Sequence, residues 1–360
     1  MNLLLFNLKT DADDGVLGFT TDWVNAFARE YDHVFVITME AGRVVVADNV
    51  TVYSVGKEKG YSESRRLFEF YRILFRVLRR NSIGACFAHM MPLFALMAWP
   101  LLKLRGIPTV LWYAHKSVTP VLRLAHIVVD RVVTANPEGF RIPSRKVSFI
   151  GHGISVDKFS VMGRPPAGIF TLISVGRISA IKNVDIILSG FAEALKRAGP
   201  GSMRLILVGG TSTPADEAYL LELRGLVKSL GIAEAVTFTG SVPHDQVAVW
   251  LSRADLGISL SVTQSFDKAI LETMAMGIPL VVYNEAFIPV FRQAGVDPGP
   301  YLLIELGASS VAQAVTAWRN PDFQGDRRED LEKIAEVVRQ QHGLPSLLRK
   351  VTIEIRSVIN

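Results

Sequence analysis

An arginine and a lysine five positions apart stand in the stretch Gly176-Arg177-Ile178-Ser179-Ala180-Ile181-Lys182-Asn183. An apolar run over 169–175 precedes it and a helical pattern opens at about Lys182, so both cations fall on a strand-to-helix turn. On such a turn a guanidinium can grip phosphate bidentately, an ammonium supplies a point charge and the helix N-terminus adds its dipole. Together they make a diphosphate cradle. The same residues also fit a solvated turn with two surface cations.

Three other places carry residue types that do chemistry. The segment from Ser261 to Pro279 reads as a polar loop running into a short helix, capped by Asp267 and closed by Gly277. Glu272 lies one turn inside that helix, where a carboxylate can accept two hydroxyl hydrogen bonds, as from a ribose, or simply face solvent. His115 ends the strand-like run 107–114 and precedes Lys116; it suits hydrogen bonding to a substrate or stabilising developing charge, or a structural role. Gly15 and Gly18 follow the run 3–8, and glycines there let backbone N–H groups approach a ligand. Their spacing is not G-x-G-x-x-G, and Asp11, Asp13 and Asp14 would repel a pyrophosphate, which argues against NAD.

These residues need strand ends to hold them, and the hydropathy pattern supplies strands. Apolar β-rich runs at 3–8, 33–38, 50–55, 84–89, 107–114, 131–135 and 147–150 alternate with helical spacing at 19–31, 64–81 and 93–105. A Pro/Gly-rich stretch over 159–168 reads as a linker. A second series follows, with strands at 169–175, 204–208, 235–239, 256–260, 278–283 and 301–304. Its helices fall at 182–198, 214–230, 244–253, 268–276 and 309–319. Residues 329–359 read as helices that lie back on the first domain. The expectation is an α/β protein of two Rossmann-like domains facing each other across a cleft. Domain one spans 1–162, domain two 163–340, and a terminal helical segment covers 341–360.

Length and composition agree. A chain of 360 residues, 49% hydrophobic and 20% charged, can bury two cores and is not disordered or collagen-like. Cys86 is the single cysteine, which excludes an intrachain disulfide and a cysteine-based zinc cluster and suits a reducing, cytoplasmic setting. The start lacks the pattern of a secretory signal, and the longest apolar stretch, 90–102, is interrupted by Pro92 and Pro100 and falls short of a membrane span. The net charge of +5 is concentrated in residues 1–160, which hold 20 Lys and Arg against 14 Asp and Glu.

Taken in order, these elements resemble the retaining GT-B nucleotide-sugar glycosyltransferases, the family that includes sucrose synthases and bacterial lipid mannosyltransferases. The matching blocks are the early glycine loop; the strand ending in His115; Gly151-His152-Gly153-Ile154-Ser155-Val156-Asp157-Lys158-Phe159; Val175-Gly176-Arg177 with Lys182; and Phe238-Thr239-Gly240-Ser241-Val242 followed by 255–282. The resemblance implies that Arg177 and Lys182 bind the donor diphosphate and stabilise it as a leaving group. It implies that Glu272, the second glutamate of E-x7-E, holds the ribose, and that Gly176, Phe266, Asp267, Lys268 and Ala269 line sugar and phosphates. Val242 then lies where main chain reads the base, with Gly15, Gly18 and His115 on the opposite wall. The first glutamate of the motif is replaced by Gln264, an amide that both donates and accepts. Asp267 stands where a glycine is usual and adds a negative charge that Lys268 has to offset.

The implied reaction is same-face transfer of a hexosyl group from a UDP- or GDP-sugar to a glycan or lipid-linked acceptor, in surface polysaccharide or glycolipid synthesis. It needs no metal or other cofactor; the Asp11–Asp14 run is the nearest metal-like cluster and lies in the wrong domain. The alternatives are a non-catalytic nucleotide-sugar or glycan-binding partner, suggested by Gln264 and Asp267, and a nucleotide-sugar 2-epimerase.

The acceptor side is expected in the first domain. Residues 65–80 hold six arginines against Glu69, with Leu67, Tyr71, Leu74 and Leu78 on one stripe and Arg72, Arg76 and Arg79 on another. This fits peripheral contact with an anionic membrane, or an ordinary sheet-covering helix. Aromatics placed on the apolar stripe argue against nucleic acid.

Overall fold

The computed structural model describes residues 1–15, 17–160, 168–262 and 266–359, in two compact units. The first comprises Met1–Ser155 and Gly343–Asn360, the second Val156–His342. The expected linker falls largely within 161–167, outside the described residues. Val156 to Ser160 group with the second unit, where Phe159 is fully buried with its ring against His244.

The first unit is a seven-stranded sheet, built from β1 (Asn2–Thr10), β2 (Val34–Ala41), β3 (Val50–Ser54), β4 (Ile83–His89), β5 (Thr109–Trp112), β6 (Arg131–Thr134) and β7 (Val147–Phe149). The strand order is β3-β2-β1-β4-β5-β6-β7 and each neighbouring pair is parallel. Its helices are α1 (Phe19–Ala28), α2 (Glu63–Arg80), α3 (Pro92–Leu104), α4 (Pro120–Val128) and the final helix Leu344–Arg356.

A parallel strand is covered on both faces, so β1 is apolar throughout and sends alternate residues to opposite cores. Leu4 and Phe6 pack with Phe70, Ile73, Leu74 and Val77 of α2. Leu3 and Leu5 pack with Trp23 and Phe27 of α1 and Leu347, Leu348 and Val351 of the final helix. Gly153 lies against that helix so closely that a Cβ would stand 2.6 Å from a methyl of Leu347.

The second unit is a five-stranded sheet in the order β10-β9-β8-β11-β12, again parallel. Its elements in chain order are β8 (Phe170–Val175), α5 (Val184–Ala198), β9 (Met203–Val208), α6 (Pro214–Ser229), β10 (Val236–Gly240), α7 (His244–Leu251), β11 (Leu256–Ser259), α8 (Lys268–Ala275), β12 (Leu280–Val282), α9 (Ile288–Gln293), α10 (Ala308–Arg319), α11 (Pro321–Gly325) and α12 (Arg328–His342).

The strand expected at 301–304 is a single bridge, Leu302 to Val282. Pro298 and Pro300 shape a 3₁₀ turn at Gly299–Tyr301, and Tyr301 turns inward against Phe291 and Trp318. Three short helices, α4, α9 and α11, lie between the expected elements. α4 and α11 start at Thr119-Pro120 and Asn320-Pro321, a capping residue followed by proline at the first helical position.

Candidate functional site

In an open parallel sheet the crevice for ligands opens beyond the carboxyl ends of the strands, where the strand order reverses. In the second unit that point lies between β8 and β11, which pair at Leu172–Leu256 and Ile173–Gly257. The segments that leave it start at Gly176 and at Leu260; the first carries Arg177 and Lys182, and Asp267 stands at the start of α8 after the second.

Glycines thin the wall at the ends of three neighbouring strands. Gly176 (φ 145°) ends β8 and donates its N–H to Val208 O at 2.9 Å. Gly209 (φ 142°) ends β9, donates to Gly240 O at 3.1 Å and lies under Gly176 so tightly that a Cβ would stand 2.0 Å from the Gly176 carbonyl oxygen. Above them a small depression is lined by Gly176, Arg177, Ile178, Lys182 and Ser259. Backbone stripped of Cβ atoms at a strand end is what a bulky anion needs for close approach.

Lys182 does not open α5. It ends a single 3₁₀ turn, Ala180–Lys182, and the chain passes through left-handed Asn183 (φ 49°) before α5 begins. Asn183 is held there by its amide, which donates to Leu260 O at 2.8 Å and ties the two segments together. The Lys182 ammonium points back over Gly176 and donates to Asp267 Oδ2. Lys182, 85 residues away in the sequence, thus offsets the Asp267 charge. Asp267 Oδ1 meanwhile accepts from Ala269 N at 3.2 Å, capping α8 as expected. Arg177, half exposed, approaches the buried Asp216 at 3.9 Å. Asp216 is itself fixed by the start of α6, its N–H donating to Thr213 Oγ1 and its Oδ2 accepting from Ser212 N.

Glu272 is 3% exposed, not the solvated glutamate of the bland alternative. Its Oε1 lies 2.9 Å from His244 Nε2, and the imidazole packs on Phe159. Val242 sits two residues before His244, partly buried, in the turn between β10 and α7. The Phe266 ring packs edge-on against Phe287 and also meets His342. Lys268 and Ala269 form the first turn of α8, both partly buried. Gln264 lies outside the described residues. The second unit thus brings together Gly176, Arg177, Lys182 and Asp267 at one strand-end crevice, with Glu272 about a turn further along α8, where it meets His244 of α7.

The other expected positions lie in the first unit. His115 is exposed; its N–H donates to Gly139 O at 2.9 Å and its Nδ1 accepts from Ser117 N at 3.1 Å. That bond leaves Nε2 to carry the proton of the neutral ring. Gly15 is exposed in the turn before α1. Gly18 is buried, and its N–H is spent on Asp14 O at 2.9 Å, so it serves the loop's own closure rather than offering a free donor.

The neighbouring acidic run is partly paired with cations. Lys9 Nζ meets Asp14 at 2.8 Å, Glu40 at 2.8 Å and Asp11 at 3.5 Å. Burial works against the Lys9 charge, but the hydrogen bonds to Asp14 and Glu40 outweigh it and raise its pKa above the ordinary lysine range. The same Lys9 bond, opposed by burial, holds Glu40 below the usual carboxylate range, and Arg43 does this for Asp13.

On α2 the buried stripe is Phe70, Ile73, Leu74, Val77 and Leu78. Leu67 is half exposed and Tyr71 only partly covered, contrary to the stripe expected from spacing. Phe68 (65% exposed) and Phe75 (56%) stand out among Arg72, Arg76 and Arg79, so aromatics do lie between cations here. The placement of the aromatics on α2 therefore does not argue against nucleic acid, contrary to expectation. No helix among the described residues is long and apolar enough to cross a membrane.

Two contributors were not among the expected site residues. His244 is a lone histidine in the first turn of a short helix, and its only cue was following Val242 by two positions. Gly209-Gly210 after β9 was a visible glycine pair at a strand end and could have been read as close approach.

Comparison with known proteins places this site in context. Residues 169–319 match the family described as glycosyl transferases group 1. A stretch of 116 residues, 31% of this chain and 24% of the relative, is 32% identical to the human GDP-Man:Man(3)GlcNAc(2)-PP-Dol alpha-1,2-mannosyltransferase. A stretch of 175 residues, 43% of this chain and 40% of the relative, is 30% identical to D-inositol 3-phosphate glycosyltransferase 2 of Catenulispora acidiphila. These matches span about a quarter to two-fifths of the length of the curated relatives. The crystal structure of Anabaena Alr3699/HepE in complex with UDP and glucose superposes with a TM-score of 0.76 over 99% of this chain and 100% of that one, at 15% identity. The fold is GT-B, and residues 169–319, most of the second unit, match the group 1 glycosyltransferase family.

Proposed function

We propose that this protein is a retaining hexosyltransferase that takes its sugar from a UDP- or GDP-linked donor and passes it to a glycan or lipid-linked acceptor. The observation that carries the reading is the glycine-walled crevice at the carboxyl ends of β8 and β9, with Arg177 and Lys182 on its rim, inside the segment that matches the family. In this reading the two cations bind the donor diphosphate and take up the charge that develops on it as the glycosidic bond breaks. Glu272, steadied by His244, accepts the ribose hydroxyls, and main chain near Val242 reads the base. A phosphate oxygen of the departing group helps remove the acceptor's proton on the same face, so the chain need supply no nucleophile. His115, with its Nε2–H, and the Gly15–Gly18 loop belong to the acceptor-side unit.

The names of relatives support both nucleotides, GDP in the human enzyme and UDP in HepE. The exposed cations and aromatics of α2 support a peripheral place on an anionic, cytoplasm-facing membrane and a lipid-linked acceptor. The test is a panel of UDP- and GDP-sugars, scored by thermal shift and by release of free nucleotide when cell lipids are added. Stabilisation by one donor with release is expected. Stabilisation without release under every acceptor would favour a sugar-nucleotide-binding partner, for which the pairing of Lys182 with Asp267 is the motivating observation. No stabilisation by any donor would overturn the assignment.

A further inference from the structure

We infer that Asp267 is an internal competitor for Lys182, so that binding a donor diphosphate exchanges one anion for another and Asp267 sets the affinity and release of the nucleotide. The inference rests on the reading of the Gly176–Lys182 turn as the phosphate cradle.

The two oxygens of Asp267 have separate tasks. Oδ1 accepts from Ala269 N and caps α8; Oδ2 accepts from the Lys182 ammonium. Capping needs a short polar acceptor and no charge, since asparagine and serine cap as well as aspartate. The negative charge is therefore left for Lys182, a cation the cradle needs. Both side chains are mostly shielded from water, at 20% and 14% exposure, so the attraction is screened less than on an open surface. The ammonium also lies about 3.7 Å from where a Cβ of Gly176 would be, at the mouth of the strand end rather than away from it. Arg177 is placed differently. Its nearest carboxylate, Asp216, is 3.9 Å away and fixed by α6, which leaves the guanidinium half exposed to take a phosphate without giving up a close partner.

A diphosphate that reaches Lys182 must draw the ammonium from Asp267 and then sit beside the carboxylate it displaced. Both effects weaken binding and speed departure of the nucleotide product. Removing the charge while keeping the cap should have the opposite effect on affinity from removing an ordinary ligand contact.

The experiment is isothermal titration of the full chain with UDP and with GDP for wild type, Asp267→Asn, Lys182→Ala, Arg177→Ala and Asp267→Asn/Lys182→Ala, with thermal unfolding as the control for fold. Asp267→Asn should bind the nucleotide roughly three- to tenfold more tightly than wild type, the gain of a charge-assisted contact freed from competition. That gain should vanish in the Lys182→Ala background. Unchanged or weaker binding by Asp267→Asn, while Arg177→Ala and Lys182→Ala lose affinity, overturns the competition and leaves the cradle standing. Affinity indifferent to all the variants, or absent from wild type and Asp267→Asn alike, overturns the cradle and the competition together.

Discussion

Glu272 and His244 form a shielded pair, Oε1 to Nε2 at 2.9 Å, joining the body of α8 to the first turn of α7. With Oε1 engaged, the carboxylate is fixed in one orientation and its second oxygen has a defined direction. If that orientation serves ribose recognition, His244→Ala should weaken UDP binding about tenfold, the loss of one hydrogen bond to a charged group. Binding of 2′,3′-dideoxy-UDP should be nearly unaffected. Equal losses for both nucleotides would reduce His244 to a packing residue.

The double variant Arg177→Ala/Lys182→Ala should abolish binding of nucleoside diphosphates as read by titration calorimetry. Two charge-assisted contacts to phosphate are together worth roughly 3–6 kcal/mol, a loss of more than a hundredfold. Retained affinity would place the diphosphate elsewhere.

Gly209→Ala tests the close approach of β9 to β8. The new methyl would meet the Gly176 carbonyl oxygen at 2.0 Å, and φ of 142° is itself unfavourable to alanine. A stability loss of roughly 2–4 kcal/mol is expected in urea unfolding. At Gly231 (φ 67°) nothing lies within 4 Å of a Cβ, so Gly231→Ala there should lose only about 1 kcal/mol. Comparable midpoints for the two variants would contradict the crowding at Gly209.

The alternation that produces this fold is local and was legible. The apolar runs of β1, β4, β8 and β9 stand where hydropathy puts strands, and the Asp267 cap and Gly277 stop bracket α8 because capping depends on residues within one turn. Pairings across distance were not legible. Lys182 and Asp267 are 85 residues apart, and His244 and Glu272 28 apart; only the switch of strand order brings their loops together. The buried stripe on α2 departs from the expected one for a different reason. Apolar residues fill most of positions 67–78, an arc wider than one face, and spacing cannot tell which half meets the sheet.

The Lys9 cluster gives a pH expectation. Glu40 is held below its unfolded pKa by Lys9, so its contribution is present above about pH 4.3 and is lost as pH falls through its lowered native value. Lys9 is raised, so its contribution is full below about pH 10.4 and is lost only as pH rises through the higher native value. Between those limits the cluster is intact. Lys9→Met leaves Asp14 and Glu40 facing each other and should destabilise the protein by roughly 1–3 kcal/mol at pH 7, with the deficit shrinking below pH 4 as the carboxylates protonate. A deficit constant from pH 3 to pH 8 in urea unfolding would count against this account.

Charge and greasy contact on α2 can be separated. Arg76 and Arg79 are exposed, Arg72 is bonded to Glu69 at 2.8 Å through Nε, and Phe68 and Phe75 project between them. Each basic residue close to an anionic bilayer contributes about 1 kcal/mol, so Arg72→Glu/Arg76→Glu/Arg79→Glu should cut sedimentation with phosphatidylglycerol vesicles by more than about a hundredfold at low salt. Phe68→Ser/Phe75→Ser should weaken binding as well, but with little change in its salt dependence, because burial of rings in the interface is not screened. The arginine variant should lose most of the salt dependence. Wild-type protein that never sediments with these vesicles would remove the membrane from the reading and leave α2 as a sheet-covering helix whose aromatic and basic face meets another partner.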